Sequence, residues 1–423
     1  MKKSSAILFI FITVLVDMIG IGLIIPIIPS LLKDITGETT AHVAVIGGYL
    51  MTAYAGVQFL FAPVLGQLSD RFGRKPVLLF SLFGLGLDYV IHAFAPTLAW
   101  LFLGRIIGGM FGASHTVAFA YIADISTKEN KAKNFGLIGA AFGLGFVIGP
   151  GIGGVLGEAF GPRSPFILAA IFSLLNLLFG LFFVKESLPK EKRRKIDYSK
   201  MIPFVAFAKL SRYKAVLGFI LAFAMVQFAG QVMPSTWTYF TEATFGWDES
   251  DNGWSLMLVG LLVSLVQAVL TGRLVKKYGN KKVIILGFMG WIIGLISIAF
   301  ANSTLILLLA LFPYIIGGIA GPTIQGVVSN HVDDSEQGNL QGVLASFGSL
   351  AAVIMPLIFT RLFEFGAKGN SAYYFPGAPY FLGGLLVIGG LFIVLKALAN
   401  KTPKDEEMLN VNETIIDDGL IQG

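Results

Sequence analysis

Asp17, Asp88 and Arg105 stand inside long apolar runs, well away from their ends. Asp17 lies about eleven residues into its run and Asp88 about twelve, so at ~1.5 Å per residue both fall near mid-bilayer. An acid there costs about 2.5–3.5 kcal/mol on insertion scales, and must face a cavity or a partner. Such a carboxyl suits reversible protonation. The residues therefore point to binding of a coupling proton or to substrate contact, with a structural hydrogen bond as the alternative. Arg105 needs a carboxylate or a carbonyl, because an unpaired buried cation is costly. The second half of the chain has no acid inside its apolar runs. Its midspan polar groups are Gln227, Gln231, Gln267 and Gln325, amides that donate and accept hydrogen bonds without titrating. Protons are thus assigned to the first half and substrate shaping to the second. Gln58 and His115 join the candidate substrate contacts, His115 with a satisfied interior histidine as the alternative. Phe219, Phe223, Phe228, Trp237, Tyr239, Trp254, Trp291 and Tyr314 are candidates for an aromatic lining. His92, near the far end of its run, receives no role.

The elements that must hold these residues are helices in a membrane. The chain of 423 residues has 13% charged residues against 55% hydrophobic, well short of the ~25% charge of a soluble domain. Twelve apolar runs can be cut out: 6–31, 43–65, 76–95, 98–123, 134–157, 165–184, 215–240, 254–272, 283–302, 304–329, 340–360 and 378–399. Most approach the ~20 residues a helix needs to cross a bilayer, and they do not alternate as barrel strands would. The expected fold is an all-α membrane protein of 12 transmembrane helices. The first run is too long for a cleaved signal peptide, carries Asp17 and is followed directly by a second span. With no Cys and four scattered His, no disulfide or metal site is expected, and no nucleophile–base pair marks an enzyme. No cofactor is expected beyond protons as the coupling ion.

Charge gives the orientation. Of the 31 Lys and Arg, all but Lys33, Arg105, Arg163, Arg361 and Lys368 fall on alternate connections and at the termini. That asymmetry predicts both termini cytoplasmic and an even number of spans. A basic inner face needs only anionic lipid as its partner, so the net charge of +6 does not require nucleic acid.

The chain also repeats itself. Gly66-Gln-Leu-Ser-Asp70-Arg71-Phe-Gly73-Arg74-Lys75-Pro76 returns as Gly272-Arg273-Leu-Val-Lys276-Lys277-Tyr-Gly279-Asn-Lys281-Lys282. Gly108-Gly109-Met-Phe-Gly112 returns as Gly317-Gly318-Ile-Ala-Gly321. Such symmetry marks secondary transporters, with sites near the midplane. The expected units are 1–184 and 215–400, two pseudo-symmetric six-helix bundles joined by a cytoplasmic linker over 185–214 and followed by a disordered tail over 401–423. In the first loop Gly66 and Gly73 permit close backbone approach and a tight turn. Asp70 is placed to cap a neighbouring helix, and Arg74 to pair with Asp124; the alternative is that the basic residues only set topology. Gly145, Gly149, Gly153 and Gly154 form a smooth helix face for close packing, with Pro150 expected to bend it.

These motifs together resemble the major facilitator superfamily over the whole chain. The 66–76 loop is similar to its helix 2–3 signature, Leu103-Gly-Arg105 with Gly109 and Gly112 to its helix 4 signature, and Gly145 to Gly154 to the helix 5 signature of its antiporter branch. Asp17-Met-Ile-Gly-Ile-Gly, Ser69 to Val77, Gly86-Leu-Asp88-Tyr89, Ser164-Pro-Phe and Gln325-Gly resemble the tetracycline efflux group in particular. The resemblance implies a proton-coupled exporter of amphipathic or aromatic small molecules, a monomer in a bacterial inner membrane, working by alternating access. It implies proton transfer for Arg105, a conformational latch for Gly66, Asp70, Arg71, Gly73, Arg74 and Asp124, and closure of an outward cavity for the helix 5 glycines. That group carries a His in helix 8 and an Asp in helix 9, where this chain has Val263 and Trp291, so the architecture carries over and the drug does not. An uptake symporter of the same fold, or a scaffold or receptor that no longer transports, is the rival reading.

Overall fold

The computed structural model describes residues 3–127, 130–197, 201, 210, 213, 216–333, 336–368 and 374–399. The expected disordered tail, and much of the expected linker, lie outside the described residues. Among those described, every regular element is helical. In chain order they are α1 (Lys3–Ile24), α2 (Ile28–Thr36), α3 (Thr40–Phe72), α4 (Arg74–Phe94), α5 (Leu98–Phe111), α6 (Ser114–Ile125), α7 (Lys131–Phe160) and α8 (Ser164–Phe183). Then come α9 (Leu217–Gly230), α10 (Val232–Phe245), α11 (Glu249–Leu265), α12 (Thr271–Ala299), α13 (Thr304–Gly317), α14 (Ala320–Asn330), α15 (Gln337–Ala367) and α16 (Ala378–Ala399).

Several expected single helices are broken where the sequence weakens them. Pro26 sits in a 3₁₀ turn between α1 and α2, where its missing N–H would interrupt an α-helical ladder. Gly112 and Ala113 separate α5 from α6, and Gly318 and Ile319 separate α13 from α14. Both breaks fall in the repeated glycine motif. By contrast α7 runs as one assigned helix through Pro150.

Eleven segments are long and apolar enough to cross a membrane among the described residues. One of them, Glu249–Ala299, has 51 residues. At 1.5 Å per residue it would extend roughly 76 Å, more than twice a ~30 Å hydrocarbon core. It passes through a π-helical stretch at Val266–Leu270 and is broken into two helices at Gly279, whose φ of 74° and ψ of 161° are not helical. This one segment therefore contains two crossings, which is consistent with twelve.

By its internal packing the chain divides into two units. The first takes the described residues within Met1–Pro203, Ser235–Leu261 and Ala352–Lys368; the second takes Phe204–Pro234, Leu262–Ala351 and Gly369–Gly423. Within the first, α1 packs on α7 and α8, α4 on α5 and α8, and α3 on α5. Its core joins Phe9, Ile10 and Val14 of α1 to Leu78 and Leu82 of α4 and Val117 and Tyr121 of α6. Within the second, α12 packs on α13, α14 and α16, and α9 on α14 and α16.

The first unit is thus more than the first half of the sequence. At the ends of its helices opposite the Gly66–Lys75 loop, parts of α10, α11 and α15 pack on α2 and α3. Lys33 and Thr40 both reach Glu242, and Ser30 reaches Glu249. Thr52 donates to the Val353 carbonyl at 2.9 Å. An added Cβ on Gly48 would lie 2.2 Å from Thr360 Oγ1, so the α3–α15 approach depends on that glycine.

Candidate functional site

Asp88 and Arg105 are brought together. They sit on the packed helices α4 and α5, and Arg105 Nη2 donates to Asp88 Oδ2 at 2.8 Å. Asp88 is 1% exposed. The Arg105 guanidinium also lies over the Tyr54 ring of α3, 5.2 Å from its centroid. Removing one member of such a buried pair leaves the other charge uncompensated, at about 3–5 kcal/mol. A third member went unassigned in the sequence. His92, four residues after Asp88 and so on the same helix face, accepts from Arg105 Nε through its Nε2 at 3.0 Å.

Asp17 is held separately. Its carboxylate Oδ2 accepts from the Ser114 hydroxyl at 2.5 Å, and no cation pairs with it among the described residues. Ser114 opens α6 directly after the break at Gly112 and Ala113. The same break uses two candidate substrate contacts. Gln58 Nε2 donates to the Gly112 carbonyl at 2.8 Å, and His115 Nδ1 lies 3.3 Å from that oxygen. The break frees backbone carbonyls that need donors inside a membrane, and Gln58 supplies one.

The expected loop over Gly66–Lys75 is instead the last turns of α3, a single turning residue at Gly73 and the start of α4, and it forms a charge cluster built around Arg74, which is 8% exposed. Its guanidinium donates to Ser69 Oγ at 2.7 Å, Asp70 Oδ1 at 2.5 Å and Asp124 Oδ2 at 3.1 Å. The expected Arg74–Asp124 pair is therefore present, while Asp70 meets Arg74 rather than a neighbouring helix end. Arg71 is exposed, and Gly66 lines a groove beside Asp70, Arg74 and Thr116. Gly73 turns the chain with φ at 107°, a value that excludes most side chains.

Glu186, which sequence reasoning missed, caps α4. Its carboxylate accepts from the backbone N–H of Arg74 at 2.8 Å and of Lys75 at 3.2 Å. It sits three residues past the end of α8, and only its position after that helix hinted at it. The chain beyond it also lies along the loop: Arg194 N–H donates to the Asp70 carbonyl at 3.1 Å, and Asp197 N–H to Gln67 Oε1 at 3.1 Å.

The α7 glycines divide between two neighbours. A Cβ on Gly145 would lie 2.5 Å from Met18 Cβ, on Gly149 2.8 Å from Gly22 Cα, and on Gly153 2.2 Å from the Leu23 carbonyl, all on α1. A Cβ on Gly154 would lie 2.3 Å from the Glu249 carbonyl and 2.9 Å from Gly253 Cα, on α11. Pro150 meets the same two helices: Gly22 faces its ring and Gly253 its carbonyl.

The second unit holds a cavity of about 350 Å³ lined by Phe223, Gln227, Val263, Gln267, Trp291, Tyr314 and Gln325, among others. Trp291 and Tyr314 stack with centroids 5.6 Å apart and planes 9° apart. Gln267 Nε2 donates to the Gly318 carbonyl at 3.3 Å, and Gln325 Nε2 to Gln341 Oε1 at 2.7 Å. The Trp291 indole N–H is buried with no acceptor among the described residues. No lining side chain is ionisable except the Tyr314 phenol. Of the candidate glutamines, Gln231 stands apart, at the turn between α9 and α10. Of the candidate aromatics, Phe223, Trp291 and Tyr314 line the cavity, Phe219, Trp237 and Tyr239 are packed in cores, and Trp254 is 54% exposed.

Membrane-crossing helices broken at glycines, a buried acid–arginine pair and an uncharged aromatic cavity define a membrane transporter. The model of the Major Facilitator Superfamily matches residues 10–267 and 219–416, and the chain belongs to that family. It is 41% identical over 383 residues to the class C tetracycline resistance protein of Escherichia coli, spanning 90% of this chain and 96% of that one. It is 36% identical over 406 residues to the class H tetracycline resistance protein of Pasteurella multocida, spanning 95% and 98%. The human organic anion transporter MFSD10 superposes with a TM-score of 0.69 at 22% identity, over 93% of this chain and 100% of that one, a likeness of fold. The protein is an integral multi-pass membrane protein and a secondary transporter of the drug-efflux type.

Proposed function

We propose that the protein exports amphipathic, aromatic small molecules in exchange for protons. The observation that carries this reading is Asp17: a carboxyl 6% exposed, within a membrane-crossing helix, whose hydrogen-bond partner is a neutral hydroxyl. Without a counter-cation the site is electrically simplest when protonated, and a proton taken up there discharges a costly buried anion. Asp88 differs, because Arg105 balances it. Asp17 is the proton carrier in this reading, and the Asp88–Arg105 pair is the charge element that its protonation state acts upon. Each proton moving inward contributes ~2.3 kcal/mol per 100 mV of membrane potential. Exchange follows when proton and substrate prefer different access states.

The substrate's flat aromatic part is assigned to the Trp291–Tyr314 cavity. Stacking suits a planar ring, and the unused indole N–H suits an acceptor on it. The Gly66–Lys75 loop with Asp124 acts as the latch, and the α7 glycines hold one end closed. Both termini and the basic loops are cytoplasmic, the membrane is a bacterial cell membrane, anionic lipid meets the basic face, and the working unit is the monomer with six helices in each half.

Everted membrane vesicles test the exchange. With respiration holding the lumen acidic, an exported drug releases that gradient on addition. Tetracycline, ethidium and a panel of aromatic cations and neutrals serve as probes, with Asp17→Asn beside the wild type. Release by at least one probe, abolished in Asp17→Asn, supports antiport. Uptake symport predicts acidification in the opposite sense, and a scaffold predicts no flux from any probe.

A further inference from the structure

His92 completes the charge cluster in a way that fixes its own protonation state. Arg105 has N–H donors and no acceptor, so the Nε2 that meets Arg105 Nε at 3.0 Å carries no proton. The ring is then neutral with its proton on Nδ1, which faces the Asp88 carbonyl at 2.9 Å. Asp88 Oδ1 lies 2.8 Å from the same Nδ1, but the proton is aimed at the carbonyl and Oδ1 is left without a donor. The place is built for this arrangement. The ring is 1% exposed and stacks on Phe166 of α8 at 5.1 Å. A Cβ on Gly104 would lie 2.5 Å from His92 Cε1, and one on Gly108 2.4 Å from Asp88 Oδ2. Glycines on either side of Arg105 thus make the recesses that Asp88 and His92 occupy.

We propose that His92 is a positioning residue for Arg105: the neutral ring holds the guanidinium on Asp88, and uptake of a proton by the ring releases it. The inference rests on the reading that the Asp88–Arg105 pair takes part in proton coupling. A second proton on His92 can only go to Nε2. That would set one N–H against another at 3.0 Å and place two cations together, so the Arg105 contact cannot survive. It would also change a cluster of one anion and one cation into one with a net positive charge inside the membrane, which is costly. The charged groups that meet the ring are Asp88 on its own helix and Arg105 on α5, whose guanidinium also lies over the Tyr54 ring of α3. One turn further, Arg163 donates to the Ala93 and Ala95 carbonyls and pairs with Asp34. Of these, only Arg105 meets Nε2.

The test needs no transported ligand. The full chain is placed in lipid vesicles with isotope-labelled histidine and arginine, and the ring and guanidinium nitrogens are followed by NMR from about pH 8.5 to about pH 5. The signals are assigned by difference against His92→Gln and Arg105→Lys. The expected result is a bare Nε2 on His92 at high pH, and an Arg105 Nε signal that shifts over the same interval in which His92 titrates. In His92→Gln, whose amide oxygen accepts from Arg105 without titrating, the Arg105 signal stays fixed. A proton on Nε2 at high pH, a ring that takes up no proton over the whole interval, an Arg105 signal that does not follow His92, or one that shifts equally in His92→Gln overturns the inference. Failure of the coupling reading is seen separately, as undiminished drug-driven proton flux by Asp88→Asn.

Discussion

The Ser114 hydroxyl at the start of α6 donates to the Asp17 carboxyl of α1 across 2.5 Å, so the break after α5 and the acid of α1 form one site. Ser114 is present at that point because the chain restarts its helix there. If Asp17 carries the proton, Asp17→Asn keeps the hydrogen bond and loses the exchange. Drug-driven proton flux in proteoliposomes is expected to fall to background in that variant. Ser114→Ala removes a hydrogen bond to a charged group, worth about 1.5–3 kcal/mol, from the deprotonated state. Proton release becomes harder, and flux falls by roughly tenfold or more. Unchanged flux in Asp17→Asn would remove Asp17 from the mechanism.

The Arg74 cluster makes a prediction about stability. Glu186→Ala leaves two N–H groups at the start of α4 without their acceptor. The loss is about 2 kcal/mol, from the cap and its charge-assisted bonds. It should appear as a lower unfolding temperature of the detergent-solubilised protein. Arg74→Lys is expected to be no rescue of Arg74→Ala, because an ammonium cannot reproduce the fork that meets Ser69, Asp70 and Asp124 together. Equal stability of Arg74→Lys and the wild type would show that the fork is unimportant.

The length and polarity of the spans, the repeat and the Arg74–Asp124 pair were legible in the sequence, because each is a local pattern or a matched motif. The buried need of Arg105 for a carboxylate was legible too, since an isolated cation in an apolar run is expensive. Which acid answers it was not. Asp17 and Asp88 have equal standing by depth, and only the rotation of α4 against α5 selects Asp88. His92 did carry a signal, the four-residue spacing from Asp88. Glu186 carried almost none, because a cap supplied from more than a hundred residues away depends on how the loop after α8 returns. The breaks in α1, α5–α6 and α13–α14 fall at Pro and Gly, yet the sequence has many other glycines inside unbroken helices. Packing decides which of them yield.

Trp291 and Val263, which the sequence resemblance sets against an acid and a histidine, both line one cavity. The structure therefore turns a sequence departure into a prediction about substrates. Trp291→Phe keeps the ring that stacks on Tyr314 and removes the indole N–H. Trp291→Ala removes both. Affinity for an exported aromatic drug should fall in two steps, first by the hydrogen bond at about 0.5–1.5 kcal/mol and then by a similar stacking contribution. Binding titrations on the purified variants measure this, and equal affinity in all three proteins would place the drug elsewhere.

Gly154 of α7 and Gly253 of α11 meet with no room for a side chain: a Cβ on Gly253 would lie 2.5 Å from the Pro150 carbonyl and 3.0 Å from Gly154 Cα. Gly139 on the same α7 faces open space. Valine at Gly154 or Gly253 must therefore push α7 and α11 apart, an overpacking cost of about 1–3 kcal/mol charged only to the state in which these helices touch. Valine at Gly139 carries no such cost. The chain has no Cys, so one cysteine at Ser30, beside the Glu249 contact, reports opening without background. Thiol labelling at that position is expected to rise roughly fivefold to a hundredfold in Gly154→Val and Gly253→Val, the range set by that energy, and to stay at the wild-type rate in Gly139→Val. Equal labelling in all four proteins would mean that the α7–α11 contact is ordinary packing and closes nothing.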